Sequence, residues 1–247
     1  SHTFLLKPED NYLPDLNAIP DEIAREAKMM WLNYPNNPTG AVATMEIFEE
    51  IVAFAAEYDI LIVHDAPYTD VCFGEYAPPS LLQVPGAKDV AVEFNSLSKT
   101  YNMAGWRVGY ACGNSEVVGF LRTYKSQLDS ANFTPVLDAA IYAINADQSW
   151  LEERNGVYAE RRDIIVKTLH KVGIHVDPPS ASLYVWAPIQ DQFENALDFC
   201  EQCLKTIKVS VAPGNLYGSE SDRYVRFSLG CSTERLKEAM DRLVNWL

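Results

Sequence analysis

The sequence has little positive charge. Its 247 residues carry 20 Lys and Arg against 34 Asp and Glu, which gives a formal net charge of -14. A phosphate backbone or an anionic membrane surface would be repelled by such a field, so we expect neither a nucleic-acid partner nor a membrane partner. A small anionic ligand stays open, because local side chains can outweigh the net charge of the whole protein.

Long apolar runs and a regular cysteine framework are also missing. No stretch approaches the roughly 20 apolar residues that a membrane-spanning helix needs, and the first residues lack the basic-then-apolar pattern of a secretion signal. The 5 cysteines form an odd, scattered set in a chain large enough to fold without disulfides. We therefore expect a cytoplasmic protein. Hydrophobic residues make up 48% of the chain, which is enough for a core.

The first part of the chain alternates predicted strands and helices. Thr44 is a predicted helix N-cap, and we expect the following helix to bury one apolar face and to expose its glutamates. That face comprises Ile47, Ile51, Phe54 and Ala55. The uniformly apolar run ILIVHDA at 60–66 predicts a parallel strand that is covered on both faces. Further strands are predicted at 28–34, 89–99 and 107–113, and helices at 44–58, 115–129, 134–146 and 149–171.

The pattern changes after about residue 152. Strands are predicted at 181–189, 208–214 and 223–230, and helices at 193–205 and 232–246. We therefore predict two domains, 1–151 and 152–247. Only four strands are predicted in the first, fewer than the roughly five to six of an average sheet. The fold class is α/β, with an incomplete, mostly parallel sheet followed by a smaller C-terminal α+β domain.

Polar residues cluster where the first two predicted strands end. The segment YPNNPTG at 34–40 follows one strand, and Asp65 and Tyr68 follow the next. Open parallel sheets place their ligand crevice at this edge. Taken alone, however, an Asn-Pro cluster is ordinary turn chemistry, and Asp65 has an alternative role in capping the loop that follows it.

The third strand ends in FNSLSKTYNMAGWRVGY, the stretch with the most candidate functional side chains. Ser96, Ser98 and Lys99 crowd the strand end, and Arg107 follows eight residues after the lysine. Hydroxyls and a guanidinium can cradle a phosphate, and an amine that loses its proton becomes a nucleophile. A lysine needs burial or a cationic neighbour for that role. An ordinary surface lysine is the alternative interpretation.

In order and spacing, these segments resemble the fold-type I aminotransferases, which use pyridoxal 5′-phosphate. The resemblance covers nearly the whole chain from about residue 5. The stretches PEDNYLPDLNAIP, KMMWLNYPNNPTG and SLYVWAPI most resemble the branch that contains LL-diaminopimelate aminotransferases. The implied activity is transfer of an amino group between an amino acid and a 2-oxo acid, in an enzyme that is a homodimer when complete.

The resemblance also implies the roles of particular residues. Lys99 matches the lysine that holds the cofactor covalently and is the expected catalytic residue. Arg226, in YVRFSLG, matches the arginine that grips the substrate's carboxylate, and Asn37 is expected to contact both substrate and cofactor. The other expected cofactor-binding residues are Asp65 at the pyridine nitrogen, Tyr68 with Asn37 at the phenolic oxygen, and Ser96, Ser98 and Arg107 at the phosphate.

One large part of the family pattern has no counterpart in the sequence. The phosphate-binding loop, the aromatic residue that stacks on the cofactor and the N-terminal substrate-binding segment are not found, so we expect an N-terminally truncated chain. Two alternatives to aminotransferase activity stay open. In the first, the chain is an inactive or half-enzyme fragment. In the second, it performs another reaction of the same cofactor, such as β-elimination.

Several other residues have structural interpretations that compete with a functional one. Cys200 and Cys203 form a C-x-x-C inside a helix pattern, for which we expect neither a redox nor a metal role. His64 either orients Asp65 or packs beneath the site. Three aromatic residues lie near the matched motifs, where they line a pocket or fill the core: Tyr101, Trp106 and Tyr217.

Overall fold

The computed structural model describes residues 1–129 and 131–247. They form two compact units, Ser1–Pro35 with Ala41–Leu151, and Asn36–Gly40 with Glu152–Leu247. The short segment Asn36–Gly40 therefore groups with the C-terminal residues, although the predicted boundary assigned it to the first domain. No helix of the described residues is long and apolar enough to cross a membrane.

The first unit contains a four-stranded sheet in the order β1-β2-β3-β4. Its strands are β1 Met29–Asn33, β2 Leu61–Asp65, β3 Ala91–Ser96 and β4 Gly109–Gly113. β1, β2 and β3 are parallel, whereas β4 runs antiparallel to β3. The expected α/β fold with a mostly parallel sheet is confirmed, and the carboxyl ends of β2 and β3 lie at one edge.

Helix α2, Met45–Tyr58, begins where it was predicted, because the Thr44 side chain accepts a hydrogen bond from the backbone N–H of Ile47. Its buried face differs from the prediction. Ile51 and Ala55 are fully buried as expected, but Ile47 and Phe54 are only partly buried. Phe48 and Val52 take the core positions instead. The apolar stripe is thus turned by about one residue relative to the predicted face.

The remaining helices of the first unit are shorter or more exposed than α2. They are α1 Asp21–Glu26, α3 Ala87–Val90, α4 Leu97–Thr100, α5 Ser115–Leu128 and α6 Thr134–Asn145. The prediction of a strand to residue 99 was wrong, because the Ser96 hydroxyl accepts a hydrogen bond from the N–H of Ser98 and starts α4. The first 28 residues form no strand.

The second unit contains the long helix α7 and a three-stranded antiparallel sheet in the order β5-β7-β6. Its elements are α7 Trp150–Lys171, β5 Tyr184–Pro188, α8 Ala196–Ile207, β6 Ala212–Pro213, β7 Tyr224–Ser228 and α9 Thr233–Trp246. Of these, α7 begins within the last two residues of the first unit. The strand predicted at 208–214 shrinks to two residues, and α8 begins three residues late because Asn195 caps it.

Candidate active site

The parallel strands bring Asp65 and Ser96 to the same edge of the first sheet. Asp65 is the last residue of β2 and pairs with Phe94 of β3, two residues before Ser96. The side chain of Asn33, at the end of β1, donates to the Asp65 carbonyl at 2.7 Å. Three neighbouring strand ends are therefore fixed to one another at the edge where the sequence analysis expected a ligand crevice.

The Asp65 carboxyl has an unusual environment for an exposed side chain. Desolvation by its surroundings raises its pKa, and the neighbouring His64 lowers it by a smaller amount. The carboxylate accepts no hydrogen bond from the described residues. A desolvated carboxylate without a protein partner is suited to binding a positively charged or N–H donating group.

Tyr68 lies in the turn that follows β2 and is buried, with 5% of its surface exposed. The turn is closed by a hydrogen bond from the N–H of Val71 to the Tyr68 carbonyl at 2.9 Å. Ala66, which precedes the turn, donates its N–H to the Phe94 carbonyl at 2.8 Å. Tyr68 therefore lies three residues after Asp65, and the residue that precedes its turn is bonded to β3 through its backbone N–H.

Ser96, Ser98 and Lys99 occupy the junction of β3 and α4, and all three are half-buried. The Ser96 hydroxyl accepts from the Ser98 N–H at 3.2 Å. Thr100, one residue after the lysine, donates its hydroxyl to the Asp70 carboxylate at 2.8 Å and so ties α4 to the turn after β2. Lys99 is thus carried on a short helix that is fixed at both ends.

Arg107 precedes β4 and has a left-handed backbone conformation, with φ of 55°. Its Nη1 donates to the Ala104 carbonyl at 2.9 Å, and the side chain is otherwise exposed. Together with Ser96 and Ser98, it supplies hydroxyl and guanidinium donors, which is the donor set that a phosphate requires. With an unpartnered carboxylate at Asp65 and an amine at Lys99, the residues of this unit fit pyridoxal 5′-phosphate.

The second unit groups Asn37 with Arg226. Arg226 lies on β7 opposite Trp186 of β5, and its Nη1 donates to the Asn37 Oδ1 at 2.6 Å. The guanidinium carbon lies 3.9 Å from the centre of the Tyr184 ring and 5.0 Å from that of Tyr217. The Arg226 Nε is buried and has no hydrogen-bond partner among the described residues.

His64 does not bind Asp65. Its ring is fully buried, with Nδ1 3.1 Å from the Glu93 Oε2 and Nε2 3.0 Å from the Tyr34 carbonyl oxygen. Of the two interpretations of His64, the structure supports packing beneath the strand ends. Glu93 was missed by the sequence analysis, although a charged residue inside an apolar strand predicts a buried partner.

The cysteines of the C-x-x-C segment and two of the aromatic candidates have surroundings that fit a role in packing or at the surface. Cys200 and Cys203 are buried on α8, where burial raises the pKa of both thiols, and no metal-binding group is found among the described residues. Tyr101 packs against Trp150 with ring centres 6.3 Å apart, and Trp106 is about half exposed. Tyr184 was missed, although it stands in the SLYVWAPI stretch that carried part of the resemblance.

Comparison with known proteins identifies the family. The family model described as "Aminotransferase class I and II" matches residues 2–243. LL-diaminopimelate aminotransferase 2 of Trichormus variabilis is 48% identical over 98% of this chain and 62% of its own length. LL-diaminopimelate aminotransferase of Moorella thermoacetica is 47% identical, with the same two shares.

Solved structures agree with these sequence matches. Apo-BacF from Bacillus subtilis has a TM-score of 0.94 at 35% identity, over 98% of this chain and 61% of its own. The probable N-succinyldiaminopimelate aminotransferase from Thermus thermophilus has a TM-score of 0.92 at 36% identity, over 100% and 66%. The chain thus spans about three-fifths of the length of the curated relatives it matches. The chain belongs to the class I and II aminotransferase family.

Proposed function

We propose that this chain takes part in the pyridoxal 5′-phosphate-dependent transfer of an amino group between an amino acid and a 2-oxo acid. The observation that carries the proposal is the set of side chains at the carboxyl edge of β2 and β3. Asp65, Ser96, Ser98 and Lys99 provide an acid, two hydroxyls and an amine on adjoining strand ends. Family membership supports the same chemistry.

Lys99 is the proposed catalytic residue. Its Nζ would hold the cofactor covalently, and the same amine would be the group that moves the proton of the substrate's Cα. The bound cofactor supplies the electron sink for the carbon that loses this proton. Because α4 is capped by Ser96 and tied through Thr100, the amine starts from a fixed backbone position.

The other first-unit residues bind the cofactor in this proposal. The Asp65 carboxylate accepts a charge-assisted hydrogen bond from the protonated pyridine nitrogen, which offsets the desolvation that raises its pKa. Ser96, Ser98 and Arg107 donate to the phosphate. Tyr68 donates to the phenolic oxygen. We accordingly propose residues 1–151 as part of the cofactor-binding large domain and 152–247 as the small domain.

Arg226 is proposed to bind the substrate's carboxylate, with Asn37 beside it. The guanidinium has one Nη1 hydrogen bond to Asn37, and its Nε is buried with no hydrogen-bond partner among the described residues. A buried donor without a partner costs about 1–3 kcal/mol, so a carboxylate that engages this guanidinium removes part of an existing cost. A planar fork also binds a carboxylate through two hydrogen bonds, which a lysine would not reproduce.

The names of the relatives suggest the first substrate to test. Since the curated relatives are LL-diaminopimelate aminotransferases, we propose LL-diaminopimelate as an amino donor and a small 2-oxo acid as acceptor. We also propose that the complete enzyme is a cytoplasmic homodimer; sedimentation of the full-length protein tests the dimer.

The test begins with the absorbance spectrum of the purified chain after addition of pyridoxal 5′-phosphate. Borohydride reduction then fixes any covalent lysine adduct, and peptide mass mapping locates it. We expect a protein-bound chromophore and an adduct on Lys99. Lys99→Ala abolishes both, while Lys88→Ala, which changes an exposed lysine of α3, serves as the matched control.

Amino-donor screening of the loaded protein follows. Release of a 2-oxo acid in step with amination of the acceptor supports transamination, whereas 2-oxo acid and ammonia without an aminated acceptor indicate β-elimination. Adducts scattered over surface lysines, with no turnover, would reject the proposal for this chain and leave a fragment that retains the motifs without the activity.

A further inference from the structure

The Arg226 guanidinium lies over two aromatic rings. Its carbon lies 3.9 Å from the Tyr184 ring centre and 5.0 Å from the Tyr217 ring centre. Both distances are inside the range of a cation–π interaction, and the Tyr184 contact is at stacking distance. Tyr184 itself is buried, with 9% of its surface exposed.

The sheet register explains this contact. Tyr184 pairs with Ser228 and Trp186 pairs with Arg226 across the antiparallel β5–β7 ladder. Tyr184 and Arg226 are therefore diagonal neighbours on one face of the sheet, which is within reach for an aromatic and a long side chain. Two rigid strands, and no loop, set the position of the ring relative to the guanidinium.

The face and the edges of the guanidinium have separate partners. Its N–H groups all lie in the plane, where Nη1 donates to Asn37 at 2.6 Å and Nε has no partner among the described residues. The Arg226 guanidinium carbon lies over the Tyr184 ring at 3.9 Å, the distance of a stacked contact, which would use none of these in-plane donors. A ring on the face consequently restricts the plane of the group without reducing its capacity to bind a carboxylate.

The second ring is also held by neighbours. Trp186 lies edge-on to Tyr217, with ring centres 5.8 Å apart and an interplanar angle of 88°. Trp186 also stacks on Tyr224, with ring centres 5.4 Å apart and an interplanar angle of 3°. Trp186, Tyr217 and Tyr224 thus form a connected aromatic cluster, of which Tyr217 lies beside the arginine.

We propose that Tyr184 is a positioning residue for Arg226, whose ring fixes the guanidinium plane in the orientation that binds the substrate's carboxylate. This inference rests on the proposed function and adds a residue to it. Amino-acid donors and 2-oxo-acid acceptors share the carboxylate, so the effect extends to both. A contact that is equal in ground and transition states changes KM and leaves kcat unchanged.

The kinetic test compares two variants of the cofactor-loaded protein. Tyr184→Leu removes the ring, and we expect KM for donor and acceptor to rise about tenfold with kcat nearly unchanged. Tyr184→Phe keeps the ring and should stay within about threefold of the unsubstituted protein. Equal KM in all three proteins, or a Phe variant as impaired as the Leu variant, would overturn the inference.

A second readout does not depend on activity. In the nuclear magnetic resonance spectrum, the Arg226 Nε–H signal, assigned by its loss in Arg226→Lys, should lie upfield because of the Tyr184 ring current. It should stay there in Tyr184→Phe and move downfield in Tyr184→Leu. A signal that ignores the Leu substitution contradicts the inference. Failure of the proposed function has a different signature, namely no Lys99 adduct and no turnover in the unsubstituted chain.

Discussion

The buried polar network beneath the strand ends makes a quantitative prediction for Glu93→Gln. The Glu93 carboxylate accepts hydrogen bonds from the His64 ring at 3.1 Å, the Leu81 N–H at 3.1 Å and the Asn95 side chain at 3.2 Å. It also accepts from the Ser80 hydroxyl, 3.1 and 3.0 Å from its two oxygens. Both carboxylate oxygens are therefore fully used by donors.

A glutamine has only one acceptor oxygen at this position. If the glutamine oxygen points toward His64 and Leu81, the amide nitrogen faces the Asn95 donor and one hydrogen bond is lost. If the amide is turned the other way, the bonds from His64 and Leu81 are both lost. The remaining bonds also lose their charge assistance, which is worth about 1.5–3 kcal/mol for a bond to a charged group. A buried donor left without an acceptor costs about 1–3 kcal/mol in addition, so we expect a total loss of about 3 kcal/mol at neutral pH.

The pH dependence has a definite sign. Burial acts to raise the pKa of Glu93, but the hydrogen bond and charge of His64, with the bonds from Ser80 and Leu81, outweigh it and hold the pKa below its ordinary value. The stabilisation is therefore present above about pH 4.3, the ordinary Glu value, and is lost as the pH falls through the lower folded-state pKa. The difference between Glu93→Gln and the unsubstituted protein should shrink on acidification.

Hydrogen exchange measures this loss within the first unit alone. Peptides that cover Leu61–Asp65 and Ala91–Ser96 should exchange roughly a hundredfold faster at neutral pH, since about 1.4 kcal/mol corresponds to tenfold. The control is Glu49→Gln, an exposed residue of α2 that should leave these peptides unchanged. Exchange within threefold of the unsubstituted protein would refute the reasoning, because the network would then contribute nothing net to stability.

Three further predictions concern separate parts of the chain. Gly113→Ala should destabilise the β3–β4 pair by more than about 2 kcal/mol in thermal unfolding, because the added Cβ would overlap the Ala91 backbone oxygen at a φ of 136°. Thr44→Ala should cost about 1 kcal/mol by removing the α2 cap, whereas Thr44→Ser should not. Iodoacetamide should label exposed Cys112 well before Cys203, since burial raises the pKa of the latter to about 11.

The order of the elements was predictable because it depends on local apolar patterns. Runs such as 60–66 are too apolar to be half exposed, and β2 has the expected parallel neighbours on both sides. The extent of β6 was not predictable in this way. The alternation in KVSVAPG favours a seven-residue strand, but only Ala212 and Pro213 pair with β7, and Pro213 has no N–H to extend the ladder.

The candidate site shows the same division. The chemistry of Asp65, Ser96, Ser98 and Lys99 could be predicted from their residue types because each lies near the end of a predicted strand. The contact between Tyr184 and Arg226 depends on the register of two strands whose paired residues are about 40 positions apart, which no local pattern specifies. Sequence order identified the groups that carry the proposed chemistry, but not the residues that hold those groups in place.

The alternation of side chains along β2 explains how this short strand contributes both to the buried polar network and to the candidate site. Successive side chains of β2 point to opposite faces, so His64 enters the buried network while Asp65, one residue later, is exposed at the strand end. The network joins β2, β3 and the Ser80–Leu81 segment through Glu93. A substitution of His64 should therefore mainly lower stability, and a substitution of Asp65 should mainly weaken cofactor binding. Hydrogen exchange and cofactor spectra on the same pair of variants can separate these two effects.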